Sequence, residues 1–246
     1  MCYHTRQTKT VKDLELTYNV SLSNESYRPF FDEPKHHING FAHPNMLIIP
    51  QQKTTVITPG KWGIVPSNYT SKDINNYYKS SIKFGSGLNA RCEKMFSHFL
   101  YKASIFSKRC IIPVTGFFEP FTHMKKKYPV FIHQKNDEVF SMAGIYTIIE
   151  NYVTFSIITT AANPFFEGIH NIKKRQPKIF NLEQAGLWLE SSLAQNKIEE
   201  LLHTESQIEF EAYTINKDVF KSSVDSNYPS IIEPYKFEDL KSANPF

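Results

Sequence analysis

RCIIPVTGFFE (109–119), YPVFIHQ (128–134), VFSMAGIYTII (139–149) and VTFSIITTAA (153–162) follow one another at short intervals. Each run is rich in β-branched and aromatic residues, so the four read as successive strands of a sheet or barrel. Upstream, MLIIP (46–50) and TTVITPGKWGIVP (54–66) read as further strands around a turn, and IEFEAYTI (208–215) is a final strand. Helices lie around them. Thr10 is placed to cap VKDLELTYN, and Asn181 to cap NLEQAGLWLES, which NKIEELLH follows. In NARCEKMFSHFLYKASIF (89–106), Met95, Phe96, Phe99 and Leu100 fall at helical spacing. Residues 20–45 and 67–88 are polar and read as long loops, which inside a compact domain are often functional. The C-terminal tail is polar. The expected fold is α+β: one β-rich domain over residues 1–246, a barrel-like mixed sheet with short peripheral helices.

The 246 residues carry a net charge of +4, only mildly basic. Hydrophobic residues make up 41%, enough for a sizeable core. No run has membrane-spanning length and none resembles a signal peptide, so a cytoplasmic protein is expected, without a membrane partner. The three cysteines, Cys2, Cys92 and Cys110, are odd in number and lack metal-ligand spacing. This favours unpaired thiols in a reducing compartment. Cys92 and Cys110 read as small core residues. The Lys-rich runs MKKKY (124–128) and NIKKRQ (171–176) are solvated loops or a surface for a phosphate-rich partner.

Cys2 stands directly behind the initiator methionine. Once Met1 is removed, it carries a thiol and a free α-amine on adjacent carbons, a pairing no internal cysteine has. The competing reading is an unconstrained terminus. Glu119 ends the apolar run GFFE, and His170 sits in the Gly-flanked GIHN. Asn89, Arg91 and Glu93 alternate, which sends all three to one face of an extended segment. Arg91 there either forks onto a phosphate or pairs with Glu93. No Gly-rich phosphate loop, HExxH, CxxC or GxSxG occurs, so neither a metal nor a cofactor is expected.

In order along the chain stand MC, WGIVPS (62–67), NARCE (89–93), RCIIPVTGFFE (109–119) and TTAAN…IHNIKKRQP (159–177). This series resembles the SOS response-associated peptidase (SRAP) family. The resemblance implies that the amino-terminal cysteine crosslinks covalently to abasic sites in single-stranded DNA, including at strand–duplex junctions. Carried over by motif, Cys2 is the nucleophile and Glu119 the glutamate that orients the amine and moves protons. His170 matches the histidine that assists sugar ring opening and crosslink reversal. Asn89 would hold the Cys2 end, Arg91 the neighbouring phosphate, and Thr159 would lie near the sugar. Lys173, Lys174 and Arg175 would follow the strand backbone, with Trp62 or Tyr69 offering an aromatic face. A monomer in the cytoplasm or at the nucleoid is implied.

The sequence departs from the family pattern in four places. MCYH puts His4 where an arginine is usual, Asn68 stands for a tryptophan, and Pro120 follows Glu119. IHNIKKRQP carries an insertion and lacks an aspartate after the histidine. Two other functions compete with crosslinking: a self-processing or thiol-dependent peptidase, and a non-covalent single-stranded nucleic-acid binder.

Overall fold

The computed structural model describes residues 2–240. β1 (His4–Gln7) starts almost at the amino terminus and is followed by α1 (Val11–Tyr18) and β2 (Ser21–Leu22). Next come α2 (Arg28–Phe31), β3 (Lys35–Asn39), β4 (Asn45–Pro50) and β5 (Val56–Trp62). After α3 (Ile74–Ser81), β6 (Asn89–Arg91) and α4 (Ser104–Ser107), the apolar runs form β7 (Arg109–Val114), β8 (Gly116–His123) and β9 (Lys126–Gln134). They continue as β10 (Phe140–Ile149) and β11 (Tyr152–Ala161). The chain then forms α5 (Pro164–Ile169), β12 (Arg175–Pro177), β13 (Ile179–Phe180), α6 (Leu182–Leu189), α7 (Gln195–His203) and β14 (Phe210–Thr214).

A barrel of mixed sheet forms the centre. β5, β4, β7, β10 and β11 pair antiparallel in that order, and β11 returns to β5 through the parallel pairs Thr154↔Lys61 and Phe155↔Trp62. Closure leaves these five strands without an open edge. The runs of β4, β7, β10 and β11 are mostly apolar without alternation because both faces are buried, whereas β5 alternates. Ile48, Ile112, Met142 and Phe155 join one core, which also takes Phe117 and Val130 from the second sheet. The intervening Leu47, Ile111, Ala143 and Ile158 pack with Leu14, Trp188 and Ile198 from the helices. The second sheet runs β14–β9–β8–β1–β3, with β1 as an inner strand.

Both expected caps form. Thr10 and Asp13 make a reciprocal capping box on α1, and Asn181 and Gln184 do the same on α6. Arg109 is fully buried, and among the described residues it pairs with no carboxylate. Its guanidinium donates instead to the carbonyls of Ile105, Phe106, Trp188 and Glu190, at and beyond the ends of α4 and α6. Burial lowers its pKa to about 10. Cys92 and Cys110 are buried core residues, as expected.

Several local expectations are corrected. The 20–45 stretch contains β2, α2 and β3, and the 67–88 stretch contains α3, whose buried Ile74, Tyr78 and Ser81 recur at helical spacing. Asn, Tyr and Ser are poor helix formers, so packing decides there. The helix expected from Met95, Phe96, Phe99 and Leu100 is replaced by tight turns and the four-residue α4, after the extended β6. The expected pair around a turn does form: β4 and β5 are antiparallel and joined at Gln51–Lys53, with Pro59 and Gly60 inside β5. The chain bends after β5 at Gly63, with φ +126, where a Cβ would meet His43 Nδ1 at 2.5 Å. The tail packs as well, burying Val219 and Ile231 against Phe118 and Phe131. No helix among the described residues is long and apolar enough to cross a membrane.

Candidate functional site

The amino terminus is tied on every side. His4 pairs with Phe118 of β8 and with Asn39 of β3. The Gly40 amide donates to the Tyr3 carbonyl at 2.8 Å, and Asn89 Nδ2 donates to the Cys2 carbonyl at 2.8 Å. Cys2 is therefore no fraying end. Its thiol is buried, with Sγ 3.9 Å from the His4 carbonyl oxygen. Asn89 reaches it because β6 runs parallel to β11, Asn89 opposite Ile157. Ala90 points into the core, so Asn89 and Arg91 share the other face. Among the described residues, Asn89 Oδ1 is buried without a hydrogen-bond partner.

Glu119 lies in the middle of β8 rather than at its end, and is buried. Burial raises its carboxyl from the ordinary 4.5 to about 7. Burial also raises the Cys2 thiol well above its ordinary range, and the charge of Glu119 adds to this. His170 ends α5, a helix begun by Pro164 behind the Asn163 cap. It is buried, not the solvated loop histidine its GIHN setting permits. Its Nδ1 lies 2.8 Å from the Arg175 carbonyl, which only accepts, so Nδ1 carries the proton. Nε2 then faces Glu119 Oε2 at 3.9 Å. Burial lowers the imidazole pKa to about 4, which keeps it neutral. The site thus joins a protonated thiol, a carboxyl that titrates near neutrality and a neutral imidazole, the components of proton transfer at one nucleophile.

The remaining expected residues divide. Arg91 is exposed. Glu93 lies in the turn after β6 and pairs with Arg175 instead, with Nη2 3.0 Å from Oε2. Arg175 is itself buried and donates to the Thr159 carbonyl at 2.6 Å and to its Oγ1 at 3.3 Å. Arg175 and Thr159 are therefore internal and tie β12 to β11. Trp62 is fully buried, donates to the Leu88 carbonyl at 2.9 Å and stacks on Phe155, so it presents no face to a base. Tyr69 is 38% exposed, edge-on to Tyr77. Lys173 is exposed, and Lys174, also exposed, pairs with Glu167. His4 turns away from solvent, with Nδ1 2.9 Å from His37 Nε2 and its ring against Phe220. Burial, with His37 beside it, lowers its pKa to about 3, so the position supplies no cation.

Sequence reasoning missed Tyr3, whose hydroxyl feels both Glu119 and Cys2. The only signal was the MCYH spelling itself. The knot at Arg175 leads to a prediction. Arg175→Ala removes several buried hydrogen bonds and should cost about 2 kcal/mol of stability in urea unfolding. Unchanged stability with a weaker salt dependence of DNA binding would return Arg175 to the surface role expected from sequence.

Comparison with known families matches residues 1–222 to SOS response associated peptidase (SRAP). Abasic site processing protein YoqW of Bacillus subtilis is 30% identical over 212 residues, covering 80% of this chain and 88% of that protein. Abasic site processing protein YMR114C of Saccharomyces cerevisiae is 27% identical over 249 residues, covering 96% of this chain and 58% of that one. Among solved structures, a protein from Bacteroides thetaiotaomicron superposes with a TM-score of 0.82 at 29% identity, covering 96% of this chain and all of its own.

Proposed function

The chain belongs to the SOS response associated peptidase family, and on that premise we propose that it processes abasic sites by crosslinking Cys2 to them in single-stranded DNA. One observation carries this reading: Asn89, Glu119 and His170 converge on a cysteine at the second position of the chain. Hydrolysis of the Met1–Cys2 bond consumes one water and frees the α-amine. The amine attacks the C1′ aldehyde of the opened sugar, and the carbinolamine loses water to give an imine. The thiol then adds across the C=N bond and closes a thiazolidine ring. Its sulfur bonds to C1′, and its proton ends on the ring nitrogen.

The electrostatics favour amine-first order. A thiol raised by burial is a poor thiolate nucleophile, so attack by sulfur alone is slow. An α-amine has a reference pKa of about 7.7–8.0 and is partly neutral at physiological pH. Glu119, at about 7, takes the proton released by the amine and returns one to the departing hydroxyl. Neutral His170, with Nε2 on the Glu119 side, serves the sugar oxygen during ring opening and crosslink reversal. Asn89 Oδ1 is available to accept from the amine or a sugar hydroxyl. Exposed Arg91, on the same face as Asn89, holds the neighbouring phosphate, with Lys173 further along.

Incubation with an oligonucleotide bearing one abasic site, followed by a denaturing gel, tests the proposal. A heat-stable shifted band supports it; an unshifted band on abasic DNA rejects it. Arg91→Ala should leave the chemistry intact and lower the slope of log affinity against log salt by roughly one unit. An unchanged slope in that titration would remove Arg91 from the phosphate contact.

A further inference from the structure

Beside Cys2 the surface carries aromatic rings that the chemistry above does not use. Tyr3 and Phe41 stand with ring centroids 4.7 Å apart and planes tilted by 31°. Both are fixed by their backbones. The Tyr3 carbonyl accepts from the Gly40 amide at 2.8 Å, and the Phe41 amide donates to Asn39 Oδ1 at 3.0 Å. Gly40 fits so closely that a Cβ there would lie 3.0 Å from both the Trp62 ring and the Tyr3 carbonyl. Yet Phe41 is 55% exposed. The loop after α3 comes up against the same place: a Cβ on Gly85 would sit 4.0 Å from the Tyr3 hydroxyl. Its neighbour Phe84 is 81% exposed, with the Lys83 ammonium 5.1 Å from its ring centroid.

Tyr3 packs partly against the core, but the exposed rings of Phe41 and Phe84 contribute little to it, so a ligand is the better account of them. We propose that Tyr3, Phe41 and Phe84 form a stacking platform for the nucleobases that flank the reacting nucleotide in single-stranded DNA. This rests on the function proposed above. Tyr3 follows Cys2 directly in the chain, and Lys83 supplies positive charge beside Phe84. A cation over an exposed ring matches a flexible polyanion whose bases expose π-faces. An apolar protein surface would instead bury that cation unpaired. The buried Trp62 cannot fill this role.

The test uses oligonucleotides carrying a tetrahydrofuran abasic analogue, which has no aldehyde and so reports binding without crosslinking. In one, thymines flank the analogue; in the other, further analogues replace both neighbours. Fluorescence anisotropy at fixed salt should show the wild-type protein preferring the base-flanked strand by about tenfold. Phe41→Ala and Phe84→Ala should each lose most of that preference with no change in salt slope, and Phe41→Tyr should restore it. An equal preference in the alanine variants overturns the proposal, as does a wild-type protein indifferent to the flanking bases. The second result would leave the exposed rings to a protein partner. Because the probe cannot react, failure of the covalent chemistry appears separately, in the denaturing gel.

Discussion

Protein that keeps Met1, or carries an amino-terminal tag, should bind abasic DNA and yet form no heat-stable adduct. In either form the Cys2 nitrogen is an amide, its lone pair is delocalised into the carbonyl, and no imine can form. The thiol is untouched. An ordinary cysteine nucleophile would tolerate the change; a 1,2-aminothiol cannot. Cys2→Ser with Met1 removed is the complementary case. It keeps the amine, so borohydride should trap an imine, but the hydroxyl closes the ring poorly and the durable adduct should fall more than about a hundredfold. The two variants separate the contributions of nitrogen and sulfur on one gel. Equal crosslinking by blocked and processed protein would refute the ring-closing mechanism. A Cys2→Ser adduct as durable as the wild type's would also refute it.

The sequence is legible where hydrophobic pattern and structure share a cause. β7 to β11 are each buried on both faces, so their apolar runs are long and unmistakable. Barrel closure is another matter. It depends on the parallel pairing of Lys61 and Trp62 with Thr154 and Phe155, across about ninety residues of chain, and no local pattern encodes it. α3 escapes notice because its residues are poor helix formers held by the burial of Ile74 and Tyr78. At the candidate site, Cys2, Asn89, Glu119 and His170, which the motif letters named, lie together, and exposure sorts the rest. Arg175, Thr159 and Trp62 look like contact residues in sequence and are internal in the fold. Arg91 and Glu93 illustrate the limit. Alternation put them on one face and left Arg91 a choice between a phosphate and Glu93, whereas the turn at Cys92–Lys94 gives Glu93 to Arg175.

Glu119→Gln should slow crosslinking by about 10²–10⁴-fold in single-turnover assays on abasic DNA, because a positioned acid–base group is worth that much. The same substitution should stabilise the fold at alkaline pH. Burial raises the carboxyl from 4.5 to about 7. Between those values the folded state holds a proton that the unfolded chain has released. Stability therefore falls as pH rises through this window, and the loss is complete once the folded carboxyl ionises above about 7. The difference amounts to up to about 3 kcal/mol. Glutamine is neutral throughout and escapes the penalty. Urea unfolding of the two proteins should accordingly agree near pH 4 and diverge in favour of Glu119→Gln by pH 8. The wild-type crosslinking rate should climb over the same interval, as Glu119 becomes able to take a proton. A carboxylate that destabilises the fold in the form that works is held there by function rather than packing. Equal stability of the two proteins at pH 8 would show that ionised Glu119 is already compensated in the fold. A wild-type rate in the variant would show that the proton moves by another route.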